Sequence, residues 1–328
     1  MSMGKDVPLI ETRGLKKYFD TPRGPLHAVD DINIWITRGK TLGVVGESGC
    51  GKSTLGRTIL RLLEPTAGDI LFNGESIVKK SSRQMKELRK QMQIVFQDPF
   101  SSLNPRMTVS EIIAEPMKVT SMYKNKDDML TRVFELMETV GLADRFVNAY
   151  PHELDGGRRQ RIGIARALSL NPQFIVCDEP VSALDVSIQA QILNLMMDLR
   201  DEMGLTYMFI THDLSVVKHI SNQIAVMYLG QCVELAPTDA LFSAPLHPYT
   251  RALLDAIPVP SLKNRKEINV IRGEVSSPIN PKPGCRFAPR CPDATPRCSE
   301  ANIPLTEAAP GHFVSCLLYG SGTAVAGA

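Results

Sequence analysis

From Leu9 to Thr37 apolar and polar residues alternate in short runs, with Ile32, Ile34 and Ile36 at every second place. That period predicts antiparallel strands with one wet face. Beyond Lys40 the pattern changes to continuous apolar runs, TLGVVG (41–46), QIVFQ (93–97), FIVCDE (174–179), YMFITH (207–212) and QIAVMYLG (223–230), each leading into a loop or helix. Buried strands separated by helical segments predict an α/β fold with a mainly parallel sheet flanked by helices. The stretch 108–170 reads mainly as helices and divides the core strands, as a helical subdomain inserted over about residues 100–170 would. A core helix is predicted over 186–203, where Ile188, Ile192, Leu195, Met196, Leu199 and Met203 form one apolar stripe. From about residue 240 prolines, cysteines and short turns take over, which predicts a small module over 241–328 beside a main domain over 1–240. Internal repeats are absent, which excludes a solenoid.

Composition changes this picture little. The chain has 328 residues, 43% hydrophobic and 22% charged, which excludes wholesale disorder and collagen-like or coiled-coil structure. Lys+Arg 37 against Asp+Glu 35 leaves a net charge of +2, which argues against a nucleic-acid partner held by a basic field. No run approaches the ~20 apolar residues of a membrane helix, and the opening residues lack the apolar segment of a signal peptide, so a cytoplasmic location is expected. Of the 7 cysteines, Cys50, Cys177 and Cys232 read as buried thiols, while Cys285, Cys291, Cys298 and Cys316 crowd the tail.

The chemistry starts at GESGCGKST, residues 46–54, which fits the Walker A pattern between an apolar strand and an apolar-periodic helix. Glycines Gly46, Gly49 and Gly51 let the backbone curl so that N–H groups of Glu47, Ser48, Cys50 and their neighbours face an anion. Lys52 is then expected at the β- and γ-phosphates, with Thr54 closing the motif and the Ser53 hydroxyl on Mg²⁺. FIVCDE supplies two acids with separate jobs, since neighbours on a strand point to opposite sides. Asp178 is expected in the Mg²⁺ shell, and Glu179 as the base that orients and deprotonates the attacking water. Gln97 and His212 end two further strands, where ligands of open α/β sheets gather.

Together these motifs resemble the nucleotide-binding subunit of ATP-binding cassette (ABC) transporters, in the family's order from residue 8 to about 240. The resemblance implies a P-loop ABC ATPase core with an antiparallel β subdomain. It also implies an aromatic stacking on adenine, by register Phe19 rather than Tyr18. Gln97 resembles the glutamine that senses Mg²⁺ and the membrane subunits, SALD (182–185) the D-loop, and His212 the switch histidine at the γ-phosphate. LDGGR (154–158) stands where the family has LSGGQ and departs at two places. In the family this segment, here Asp155, Gly156, Gly157 and Arg158, presses on the γ-phosphate bound by a partner cassette. Asp155 can still cap the helix that follows, but its charge faces phosphate. Two outcomes are open: a compensated Asp155–Arg158 pair, or an asymmetric dimer with one slow site.

The four tail cysteines are spaced C-x5-C-x6-C-x17-C, and with HPYT (247–250) they resemble the C-terminal extension of oligopeptide/dipeptide permease ATP-binding subunits. A proline-rich segment too small for its own core calls for a staple, and Cys₄ suits zinc or a [4Fe–4S] cluster. The resemblance implies a cluster in some members, free or disulfide-linked cysteines remain open, and His312 is a reserve ligand. The implied function is Mg·ATP hydrolysis driving peptide import. Its implied partners are a second cassette in a heterodimer, two membrane permease subunits and an extracytoplasmic solute-binding protein. A nickel chelate or glycan fragment as cargo is the alternative. A soluble ABC ATPase acting on DNA or ribosomes is disfavoured by the single cassette, the short spacing from Thr54 to Leu154 and the near-neutral charge.

Overall fold

The computed structural model describes residues 7–256 and 277–319. The parts of the 241–328 module at 257–276 and 320–328 lie outside the described residues. The chain forms two compact units, one from the stretches up to Ile36, Thr41–Val78 and Thr211 onward, the other from Thr37–Lys40 and Lys79–Ile210.

In the first unit the alternating segment folds as predicted into an antiparallel hairpin, Ile10–Thr21 against Gly24–Ile32. Strands Trp35–Ile36, Ala67–Phe72 and Glu75–Ser76 complete this small sheet. A second sheet carries the continuous apolar strands: Thr41–Val45, fully buried, pairs in parallel with Gln223–Tyr228. Gln231–Pro237 adds antiparallel to the latter, and two short tail strands, His312–Val314 and Thr306–Ala309, extend the edge beyond it. The segment expected to stand apart as a module thus continues the main sheet. Its own apolar residues are too few for a core, so it borrows one: Phe287, 1% exposed, packs with Val45, Tyr228 and Tyr249. Fully burying such a ring contributes about 1.5–3 kcal/mol.

The second unit holds a parallel set, Met92–Val95, Phe174–Asp178 and Thr206–Ile210. Between the first two of these strands run the helices Val109–Val119, Lys126–Thr139 and Gly156–Leu168. The first starts at a reciprocal cap: the Thr108 hydroxyl accepts from Glu111 N, and the Glu111 carboxylate accepts from Thr108 N. The helix Val186–Met203 falls where the stripe predicts, but it buries Ile192, Leu193, Met196 and Leu199, and leaves Val186 and Met203 exposed. The stripe is therefore effective only in its middle turns.

Candidate functional site

The strand Thr41–Val45 delivers the chain into the phosphate loop, which closes on the helix Lys52–Ile59. Gly51 stands at the helix N-cap with φ 103°, and a Cβ there would lie 2.0 Å from the Ala28 carbonyl oxygen. Only glycine fits. No side chain caps this helix, and its dipole makes this end positive, which suits an anion. Lys52, 5% exposed, folds its ammonium back onto the carbonyls of Gly46 (2.8 Å) and Glu47 (3.0 Å). The Cys50 N–H, expected to face the anion, donates instead to the Glu47 carbonyl at 3.3 Å. Its thiol is buried, and burial pushes its pKa up. Ser53 and Thr54, half-buried, continue the first helical turn.

In the second unit Asp178, 1% exposed, ends its strand. Glu179 does not continue the pleat: its φ is 48°, a left-handed conformation rare for a non-glycine residue. The turn, rather than the strand alternation expected, separates the two carboxylates. It is held by the Glu179 N–H on the Ile210 carbonyl (2.9 Å) and by Ser182 N and Oγ on the Glu179 carbonyl. Gln97 Nε2 donates to Glu179 Oε2 at 3.0 Å. Strain of this kind concentrates at functional positions. His212, in the first unit, is exposed just ahead of the helix Leu214–Ile220, which Asp213 caps by accepting from Ser215 N and Val216 N.

At the head of the helix Gly156–Leu168, Asp155 Oδ1 accepts from Arg158 N at 2.8 Å. Its Oδ2 pairs with the Arg158 guanidinium at 2.5 Å, and that guanidinium lies over the Phe146 ring at 4.8 Å. The compensated pair is present, and both partners are exposed. Gly157 allows close approach of the next helix, since a Cβ there would lie 2.8 Å from Ile188.

Of the two neighbouring aromatics in the first hairpin, Tyr18 is committed inward. Its hydroxyl donates to Asp30 and its ring stacks on His27 with centroids 3.8 Å apart, while Phe19, also half-buried, has the Lys17 ammonium 5.0 Å from its ring centroid. Asp30 also takes His27 Nδ1 at 3.0 Å and the Arg286 guanidinium. Burial alone would raise the Asp30 pKa, but these donors outweigh it and hold the carboxyl below its ordinary value.

The four tail cysteines Cys285, Cys291, Cys298 and Cys316 line one cavity of about 340 Å³, with His247 and Leu318 among the other walls. Burial pushes the Cys285 thiol up to about 11. Among the described residues no three His, Cys, Asp or Glu side chains are placed to share a single metal ion. His312 is not a spare ligand: it is buried, absent from this cavity, and its Nε2 lies 2.7 Å from Glu234, a fully buried carboxylate that also accepts from Leu246 N and His247 N. Among the described residues no helix is long and apolar enough to cross a membrane.

Residues 29–182 match the ABC transporter family, and residues 233–298 match the oligopeptide/dipeptide transporter C-terminal region. The putative oligopeptide transport ATP-binding protein YkfD of Bacillus subtilis is 52% identical over 316 residues, 95% of this chain and 96% of that one. The oligopeptide transport ATP-binding protein AppF of the same organism is 51% identical over 97% of this chain and 100% of its own. Among solved structures, the cassette MJ0796 as a post-hydrolysis dimer bound to ADP and phosphate is similar with a TM-score of 0.63 and 27% identity, over 70% of this chain and 98% of that one. The phosphate loop, the strained acid after its strand and the cysteine-bearing tail therefore belong to one lineage: the chain is a member of the ABC transporter family, an ABC ATPase of the oligopeptide transport ATP-binding type.

Proposed function

We propose that the chain hydrolyses Mg·ATP as the cytoplasmic, membrane-peripheral subunit of an importer of di- or oligopeptides, paired with a second cassette and two membrane permease subunits and fed by an extracytoplasmic binding protein. What carries the reading is the uncapped, lysine-bearing phosphate loop on a chain whose later residues match the peptide-transporter C-terminal region. In this reading Lys52 leaves the loop carbonyls for the β- and γ-phosphates, and the loop's N–H groups cradle them. The oxygen donors Ser53, Gln97 and Asp178 suit Mg²⁺, which would neutralise phosphate charge when bound. Glu179 takes a proton from the water that attacks the γ-phosphorus. The bond to the bridging oxygen breaks, and ADP and phosphate leave. Gln97, already on Glu179, links that base to the state of the helical region, and His212 contacts the γ-phosphate. Phe19 stacks on adenine, and Asp155, Gly156, Gly157 and Arg158 complete the partner cassette's site.

Four thiols lining one cavity support a [4Fe–4S] cluster, with zinc as the alternative, as the staple of the tail. The donor set fits, and the cluster would act there as a structural cross-link. Iron and sulfide analysis of chain purified without oxygen is expected to give about four irons per chain. One zinc, or no metal, overturns that part alone. For the main reading, cells lacking this chain are expected to lose uptake of labelled peptides. Wild-type chain should restore it and Glu179→Gln should not, with turnover down about 10²–10⁴-fold while ATP binding is kept. Undiminished uptake without the chain would refute peptide import.

A further inference from the structure

The cysteine-bearing tail reaches back to the phosphate loop at Glu47. Every polar group of that residue is engaged. Its N–H donates to the Tyr249 hydroxyl at 2.9 Å, and its carbonyl accepts from Lys52 Nζ. Its carboxylate is gripped by Arg290 at 3.0 and 3.2 Å. Tyr249 follows the helix start at Pro248, and Arg290 immediately precedes Cys291. The Arg290 side chain is only 7% exposed, is anchored on the Tyr228 hydroxyl at 3.3 Å and lies over that ring. Tyr228, Tyr249 and Phe287 are in turn packed on one another with centroids 4.7–5.3 Å apart. A buried, pre-set guanidinium gripping a loop carboxylate is a geometry-fixing contact, unlike an exposed lysine pair.

We infer that Arg290, seconded by Tyr249, is a positioning residue for ATP, so that the tail forms part of the nucleotide site. The physical reason is twofold. Glu47 carries a negative charge on a loop built to receive phosphates, and Arg290 neutralises it and draws it off the anion's place. The same contact fixes the turn whose carbonyls hold Lys52, so the ammonium is stored within reach of the phosphates. The inference rests on the ATP reading, and Lys52 separates the two: if wild type and Lys52→Ala bind Mg·ATP equally, it is that reading which fails.

The test is a double-mutant cycle on the full chain, measuring equilibrium binding of a non-hydrolysable Mg·ATP analogue beside thermal unfolding. Arg290→Gln is expected to weaken binding about tenfold, within the range of coupled neighbouring side chains, at a temperature where the unfolding curve shows the variant fully folded. Glu47→Gln should show a smaller loss, because it removes the charge along with its need for a partner. The double variant should bind no worse than Arg290→Gln, and Arg290→Lys should recover part of the affinity. Wild-type affinity in a folded Arg290→Gln, or losses that multiply in the double variant, would overturn the inference. Should Arg290→Gln not fold, the cycle is run with Arg290→Lys, where strict additivity with Glu47→Gln is the overturning result.

Discussion

Two helix starts serve phosphate in this reading, and they are built in opposite ways. The helix Lys52–Ile59 begins at a glycine with no side-chain cap, inside a shell of buried contacts from Ala28, Tyr249 and Arg290. The helix Gly156–Leu168 begins at an aspartate that fills its own N–H and carries its counter-charge three residues on, both exposed. The first start is open toward an anion and braced from behind by distant residues. The second is locally satisfied. A segment offered to a partner subunit must hold its shape alone until the partner arrives, whereas a pocket within the chain can draw its bracing from anywhere in the sequence.

The largest expected effect comes from closing the open start. Gly51→Ala puts a Cβ onto the Ala28 carbonyl in a left-handed conformation, and a loss above about 4 kcal/mol of stability, or of all ATP binding, is expected by thermal unfolding and ligand titration. Removing the cap at the second start is milder: Asp155→Ala should cost about 1 kcal/mol in denaturant unfolding. The paired change Asp155→Ser with Arg158→Gln keeps a cap and removes both charges. Since those charges already compensate, turnover of the assembled complex should alter by less than about twofold, and a several-fold rise would instead favour the asymmetric dimer. The smallest effect concerns Asp30, behind the open start, whose N–H bonds Gly230, which in turn bonds the Cys50 carbonyl. Its folded pKa is depressed, so its contribution is present above the ordinary carboxylate range near ~4 and lost as pH falls through the lower folded value. Wild type should therefore lose more melting temperature than Asp30→Asn between about pH 5 and 3.

The open start was legible because its chemistry is local: nine consecutive residues, GESGCGKST, carry loop, lysine and helix. The buried strands announced themselves as apolar runs for the same reason. Thr306–Ala309 and His312–Val314 gave no such signal, being three or four residues long and partly polar on a sheet edge. Arg290 and Glu47 lie 243 residues apart, and nothing around either marks the other. The reading of His312 as a ligand failed because sequence shows a metal-binding residue type but not the buried Glu234 that claims it. Register alone proposes Phe19 rather than Tyr18 for adenine, and the contacts that occupy Tyr18, Asp30 and a stacked His27, become visible only in the hairpin. The left-handed Glu179 likewise has no sequence mark, since glutamate seldom adopts that backbone.

The 243-residue gap between Glu47 and Arg290 also has a consequence for synthesis. Chains emerge from the ribosome amino end first, so the phosphate loop and its helix are made well before the arginine that braces them. A chain still being translated carries the motif without its brace, and on the inference above it is expected to hold ATP about tenfold more loosely. On the inference that Arg290 positions ATP, the order of synthesis is also an order of assembly: the pocket gains its full affinity only after residue 290 has been made.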